Sequence, residues 1–288
     1  MLKLLAHIGV VVCTIGGYMA MGGKLAVLNQ PFELVIILGT AIMAFLIANS
    51  IPIVKHSIKD WLCIYKKPKY GKNEYLELLS MLYTVFRMAR TKGWLALEQH
   101  IEDPKNSEIF QQFPNFYKEE RAMTFFTDYL RIISLGSDNP YELEALMDEE
   151  LDTITEERNH TAHAVQTMAD ALPALGIVAA VLGVIKTMAS ITEPPEVLGA
   201  LIGGALVGTF LGVWLSYGWV GPMANAIKER NDAEMKYIHC IKVCTMAYLQ
   251  GAAPQVAVEF GRKILLHETQ PSFNEVEEAT QAVSVPAA

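Results

Sequence analysis

Four stretches of the chain are so uniformly apolar that charge disappears from them: residues 4–23, 34–54, 171–185 and 197–227 contain no Lys, Arg, Asp or Glu. A helix needs about 20 consecutive apolar residues to cross a bilayer core, so these runs predict spans near residues 2–21, 32–51, 171–191 and 200–222. Elsewhere the pattern becomes periodic. In GKNEYLELLSMLYTVFRMARTKGWLALEQHIED, Leu78, Leu82, Val85, Phe86 and Ala89 recur at the spacing that turns one helix face into a core. RAMTFFTDYLRIISLG repeats the pattern and ends at Gly136, a residue suited to the turn that closes a helix. In SDNPYELEALMDEELDTITEERNHTAHAVQTMADALP, Asn139 is an N-cap, Pro140 suits the first helical position and Glu142 can complete the cap. Leu143, Met147, Leu151 and Ile154 form its stripe, and no breaker precedes Pro173, so this helix is predicted to run into the third span. Past the fourth span, KERNDAEMKYIHCIKVCTMAYLQG continues as helix to Gly251 and Pro254, and residues 255–267 restart a short one. The last 20 residues, rich in Pro, Ser, Ala and Glu, read as a disordered tail.

Composition agrees with a membrane class: 52% of the 288 residues are hydrophobic and 19% are charged. The first run could be a signal peptide. A single Lys3 before it, its length, and the absence of a small-residue cleavage site in MAMGGK favour a retained helix. Lys55, Lys59, Lys66, Lys67 and Lys69 follow the second span and Lys228 and Arg230 the fourth, whereas the connections 22–31 and 192–199 hold only Lys24. The positive-inside rule then puts both termini and the middle segment in the cytoplasm. The expected fold is all-α: a polytopic membrane protein with four transmembrane helices and a helical cytoplasmic domain. It divides into a hairpin at 1–54, a cytoplasmic segment at 55–170, a second hairpin at 171–222 and a C-terminal helix and tail at 223–288. The net charge of -8 argues against a nucleic-acid partner.

Motifs of soluble enzymes are missing: there is no GxxxxGK[ST], HExxH, GxSxG or paired CxxC, so the chain is not expected to be an enzyme. Cys240 and Cys244 stand one turn apart without a matching pair and read as packing residues. His160 and His163 beside Glu156 and Glu157 read as a solvated face before they read as a metal site. The fourth span is more informative. Gly204, Gly208, Gly212 and Ser216 recur every four residues, answered on the third span by Gly176, Ala180 and Gly183, a pattern that lets membrane helices pack closely. Neither span has an internal Asp or Glu, and Thr209 is the conspicuous mid-span polar residue, one that usually bonds back to its own helix. If ions cross here, the ionisable carrier comes from a partner. Lys186 is near enough to the outer end to reach the interface. Pro173 and Pro222, at the inner ends of the two spans, are either a hinge or simple helix ends. Arg90 and Glu98, about two turns apart around Gly93, are either a solvated surface or a docking site for a charged partner.

Several long segments in order, GGYMAMGGKLAVLNQPFELVII, YELEALMDEE, LPALGIVAAVLGVIKTM, ALVGTFLG and AVEFGRK followed by PSF, together with the region around Arg90 and Glu98, resemble flagellar stator subunits of the MotA/TolQ/ExbB family over nearly the whole chain. The resemblance implies a homo-oligomer in the bacterial inner membrane, a pentameric ring around a dimer of a MotB-like subunit whose aspartate binds the proton, pushing on the rotor protein FliG. No cofactor is implied beyond protons as coupling ion. By the same resemblance Pro173 and Pro222 couple ion flow to conformational change, Arg90 and Glu98 contact the rotor, Thr209 faces the ion path, and Glu150 belongs to an acidic motif. Ala180 stands where sodium-driven relatives carry a second threonine, which leaves a poorer oxygen cage for a hard cation and points to protons. Two rival readings are an ExbB/TolQ-type channel subunit energising outer-membrane processes and a non-conducting membrane scaffold.

Overall fold

The computed structural model describes residues 2–136 and 139–283. In chain order its main helices are α1 (Leu2–Ala20), α2 (Leu25–Ala48), α3 (Ile51–Cys63), α4 (Lys72–Lys92), α5 (Glu120–Ser134), α6 (Pro140–Met188), α7 (Pro195–Leu215), α8 (Gly221–Leu249), α9 (Pro254–Lys263) and α10 (Phe273–Ala282). Short helical turns between Trp94 and Tyr117 join α4 to α5, and no strand occurs among the described residues. Among the described residues, four helices are long and apolar enough to cross a membrane: α1, α2, α6 and the run through α7 and α8.

Two compact units divide these helices. One takes the chain up to Lys67 and Glu157–Arg230; the other takes Pro68–Glu156 and the chain from Asn231 onward. The first holds the membrane helices. Ile37 and Ala41 of α2 pack with Leu172 and Ala179 of α6, Val207 and Leu211 of α7, and Met223 and Ile227 of α8. Ile8, Val12, Ile177, Val181, Ile185 and Leu206 stay exposed, as expected of surfaces that lipid or another subunit covers. The second span begins earlier than residue 32: a turn at Leu25–Leu28 precedes Gln30, and Pro31 restarts the helix at its first position. It ends at Ala48 because Asn49 and Ser50 are extended. Thr161 donates to Asp60 at 2.8 Å and the Arg230 guanidinium to the Cys63 carbonyl at 2.7 Å, which tie α3 to α6 and α8.

α6 begins where the sequence places it. The Asn139 side chain accepts from the Tyr141 amide at 3.2 Å and donates to Glu142 at 2.8 Å, and the helix continues through Pro173 without a break. The fourth span differs. After Leu215 the backbone widens into a π-helical turn at Ser216–Val220, just before Pro222. A proline lacks the amide that would bond four residues back, and its ring crowds that carbonyl; a wider turn accommodates both.

In the other unit, Leu78, Leu82, Val85 and Phe86 of α4 lie at 0% exposure against Phe116, Phe126, Leu143, Met147 and Ile241. Each such side chain contributes about 1.5–3 kcal/mol by leaving water. Phe86 stacks on Tyr248 with centroids 4.7 Å apart, and Tyr70 on Tyr237 at 4.1 Å. Cys240 and Cys244 are packing residues. Both are buried, and a Cβ added to Gly261 of α9 would run into the Cys244 sulfur, so a glycine is what lets α9 lie on α8.

The C-terminal segment is not the disordered tail that its composition suggests. Residues 273–282 form α10, opened by a capping box: the Glu275 amide bonds the Ser272 hydroxyl at 3.3 Å and the Ser272 amide bonds the Glu275 carboxylate at 2.7 Å. Lys72 Nζ meets Glu275 Oε1 at 2.6 Å, and Val276 and Thr280 are buried. Residues 284–288 lie outside the described residues. The Lys72 hydrogen bond, helped by Ser272, holds the Glu275 carboxyl down at about 2. A depressed folded-state pKa stabilises fully above the ordinary glutamate value and is lost as pH falls through the folded one. Amides of α10, corrected for intrinsic exchange, should therefore lose protection as pH drops from about 4.3 towards that lower value. Glu275→Gln should abolish this pH dependence, and protection that is flat with pH in the parent chain would refute the assignment.

Candidate functional site

The stripe of small residues on α7 has several occupants. A Cβ on Gly176 would stand 2.7 Å from the Gly208 carbonyl oxygen and 3.0 Å from the Gly212 Cα; one on Gly212 would stand 2.6 Å from the Leu172 oxygen and 2.8 Å from the Gly176 Cα. Here α6 and α7 touch backbone to backbone. One turn outward, a Cβ on Gly208 would meet Ala179 Cβ and the Ala180 nitrogen, each at 3.1 Å, and also a carboxylate oxygen of Glu33 at 3.1 Å. One turn further, Gly204 faces the Gln30 amide, 2.9 Å from its would-be Cβ. Ser216, the last small residue of the stripe, is buried. Half of the stripe therefore seats side chains from α2, at Gly208 together with the α6 backbone.

Thr209 follows Gly208, and the Ala180 nitrogen touches the Gly208 notch, so the two predicted ion-path residues lie at one level of the α6–α7 pair. Both are half-buried. Thr14 and Thr187 bond back to their own helices, at 2.8 Å to the Val10 oxygen and 2.9 Å to the Gly183 oxygen. Thr209 makes no such bond among the described residues, which leaves its hydroxyl available, contrary to the usual habit of a lone mid-helix threonine. Pro173 adjoins Leu172, whose carbonyl is the one pressed against Gly212, so the missing amide and the tightest helix approach fall together. Pro222 is exposed and stands two residues beyond the π-helical turn.

In the other unit, Arg90 lies exposed on the last turn of α4 at the edge of a hollow of about 280 Å³ shared with Trp94, Ile133, Tyr248 and Gly251. Burial raises the Tyr248 hydroxyl, and the Arg90 charge pulls the other way. Gly93, at φ +81°, closes α4, and Glu98 opens the separate turn Glu98–Glu102. Arg90 and Glu98 therefore do not share one helix face. Neither forms an ion pair among the described residues, unlike nearby Arg131, which binds Glu102 at 2.7 Å and Asp128 at 3.1 Å. Glu150 already has a partner: it accepts the Tyr129 hydroxyl at 2.8 Å, and burial, then this bond, raise that hydroxyl.

Two features escape the sequence reading. Glu33 lies inside the second span, whereas the absence of internal carboxylates holds only for the third and fourth; its signal is a charge within a predicted helix. Lys242 of α8 is buried and paired with Asp148 of α6, with Glu144 at 3.9 Å.

Comparison with known proteins gives this arrangement its relatives. The family described as motility protein A N-terminal matches residues 5–93, and the MotA/TolQ/ExbB proton channel family matches residues 118–239. Motility protein A of Salmonella typhimurium is 43% identical over 286 residues, covering 99% of this chain and 97% of the relative. Motility protein A of Escherichia coli is 42% identical with the same coverage, and chemotaxis protein LafT of Vibrio parahaemolyticus is 35% identical over 96% of this chain and 97% of its own. The flagellar MotAB stator complex from Bacillus subtilis superposes with a TM-score of 0.69 at 25% identity, covering 96% of this chain and 98% of that one. The C. jejuni MotAB structure shares the fold, with a TM-score of 0.72 at 20% identity and 92% and 95% coverage. A near-full-length match at this identity, carried by both family regions, settles the grouping: the chain belongs to the motility protein A group of the MotA/TolQ/ExbB proton channel family.

Proposed function

We propose that this chain works in a flagellar stator as the subunit that walls the ion path and transmits its movement to the rotor. The stator proton-channel role follows from its family. The observation that carries the structural side is the α6–α7 pair: two backbones in contact at Gly176 and Gly212, a Thr209 hydroxyl at the next level with no hydrogen bond among the described residues, and no carboxyl on either helix there. Such a wall can line a conduit, but it cannot bind the ion itself. The titrating group is the aspartate of a MotB-like subunit, around whose dimer copies of this chain form a pentameric ring. With both termini cytoplasmic in a bacterial inner membrane, Pro173 and Pro222 mark the inner mouth of the path. Arg90 and Glu98, charged, exposed and without an ion pair among the described residues, form the surface offered to FliG, where electrostatic pattern fixes orientation. The coupling ion is the proton, since Ala180 and Thr209 bring one hydroxyl where sodium-driven relatives carry two, a poorer set of oxygens for a hard cation.

Cytoplasmic pH reports the test. Co-expression with a partner lacking its plug should acidify the cytoplasm, and this chain purified alone in vesicles should leave a pH gradient intact. No leak from a normally assembled complex would overturn the channel reading in favour of a scaffold. Loss of the gene with swimming intact and envelope function impaired would favour the ExbB/TolQ type.

A further inference from the structure

The second span begins QPFEL, and its carboxyl goes where a membrane protein has least use for an idle one. Glu33 is 9% exposed, its Oε2 is sealed from solvent, and it has no hydrogen bond or ion pair among the described residues. The carboxyl lies in the Gly208 notch, at the level of Ala179 and Ala180. Among the described residues, the atoms that meet at this notch besides the Glu33 oxygen are the Ala179 Cβ and the Ala180 backbone nitrogen, neither of which belongs to a titratable or charged side chain. Gln30, the nearest polar neighbour along α2, occupies the Gly204 notch instead.

Neither protonation state is comfortable in this seat. A charged carboxyl without a cation or donor is strongly penalised in an apolar interior. A neutral one has an O–H with no acceptor, and an apolar residue would fill the notch without that cost. What a carboxyl offers that leucine or glutamine does not is the capacity to take up and give back a proton. The position is suited to that use, since Gly208 adjoins Thr209 and touches Ala180, the two residues placed on the ion path.

We propose that Glu33 is a proton-exchanging residue of this chain, a second titrating site beside the partner's carrier, and this rests on the stator reading above. In the uptake step an O–H bond of a hydronium ion breaks as the bond to Glu33 Oε1, the carboxyl oxygen that is not sealed, forms, leaving water. In the release step the same bond breaks and the proton passes to another water. No other reactant is consumed. The glycine at 208 is then a receptacle for this carboxyl as well as a contact for α6.

The test compares Glu33→Gln with the parent chain, each assembled with a partner lacking its plug, by proton leak per assembled complex across a range of external pH. A several-fold slower leak with a flattened pH dependence is expected for Glu33→Gln. Equal leak at every pH, with the parent complex conducting, overturns the proposal and leaves the stator reading standing; a silent parent complex overturns the stator reading itself. Should Glu33→Gln fail to assemble, infrared difference spectra of the parent complex in lipid, with isotope-labelled glutamate to separate it from the partner's aspartate, decide the matter. A protonated glutamate band at neutral pH that fades reversibly on alkalinisation is expected. An absent or unresponsive band overturns the proposal.

Discussion

Gly212→Ala should abolish swimming and lower the amount of assembled complex in the membrane, although it adds one methyl group. That methyl would stand 2.6 Å from the Leu172 oxygen and 2.8 Å from the Gly176 Cα. Both neighbours are backbone, so no rotamer change relieves the clash and the helices have to move apart. Overpacking of this kind costs about 1–3 kcal/mol and sometimes more. Here it also opens a contact on which a membrane helix pair depends, because lipid supplies no hydrophobic drive to hold the helices together. Gly204→Ala is the matched control. Its methyl would meet the Gln30 amide at 2.9 Å, the far end of a flexible side chain that can swing aside, so motility should be nearly retained. Swimming by Gly212→Ala at the parent rate, with normal complex levels, would show that α6 and α7 are not held at this distance in the working protein.

Those two glycines are indistinguishable in the sequence, and this marks where the reading of residues stops. Long charge-free runs find the spans because a bilayer imposes their composition directly. Asn139 and Gly136 mark helix ends because caps are local, and Pro173 falls inside one helix because nothing before it breaks the pattern. A stripe of small residues states only that something comes close. Whether a backbone, a carboxyl or an amide comes close depends on helices distant in the sequence. Glu33 escapes notice because counting apolar runs between charges hides a charge lying inside a span. The capping box of α10 is local and legible as Ser272 followed by Glu275, but the composition of the tail outweighs it. Spacing places Arg90 and Glu98 about two turns apart, yet Gly93 takes up a left-handed φ and puts them on separate helical turns. That outcome depends on the turn, which spacing does not encode.

Asp148→Ala should destabilise the protein more than Lys242→Met, even though the aspartate is the more exposed partner. The Lys242 side chain is 8% exposed and its Nζ is paired with Asp148, whose side chain is 54% exposed, while Glu144 stands off at 3.9 Å. Removing the acid leaves a buried ammonium with one distant carboxylate. Leaving a buried charged group unpaired costs about 1–3 kcal/mol, or more when burial is complete. Here Glu144 and the exposure of Asp148 keep the cost within that range. Removing the base leaves a carboxylate that water can solvate, and methionine keeps most of the buried stem, so the loss should be small. Thermal unfolding of the full chain in detergent, with steady-state levels in membranes, measures the difference. The reverse order would mean that the lysine stem, and not its charge, holds α8 against α6. The expected order also gives the acids of YELEALMDEE separate roles, in which Asp148 holds α8, Glu144 supports it, and Glu150 anchors Tyr129 of α5. On that division, neutralising Glu150 should loosen α5 without disturbing the Lys242 pair, so this acidic motif acts first by joining helices.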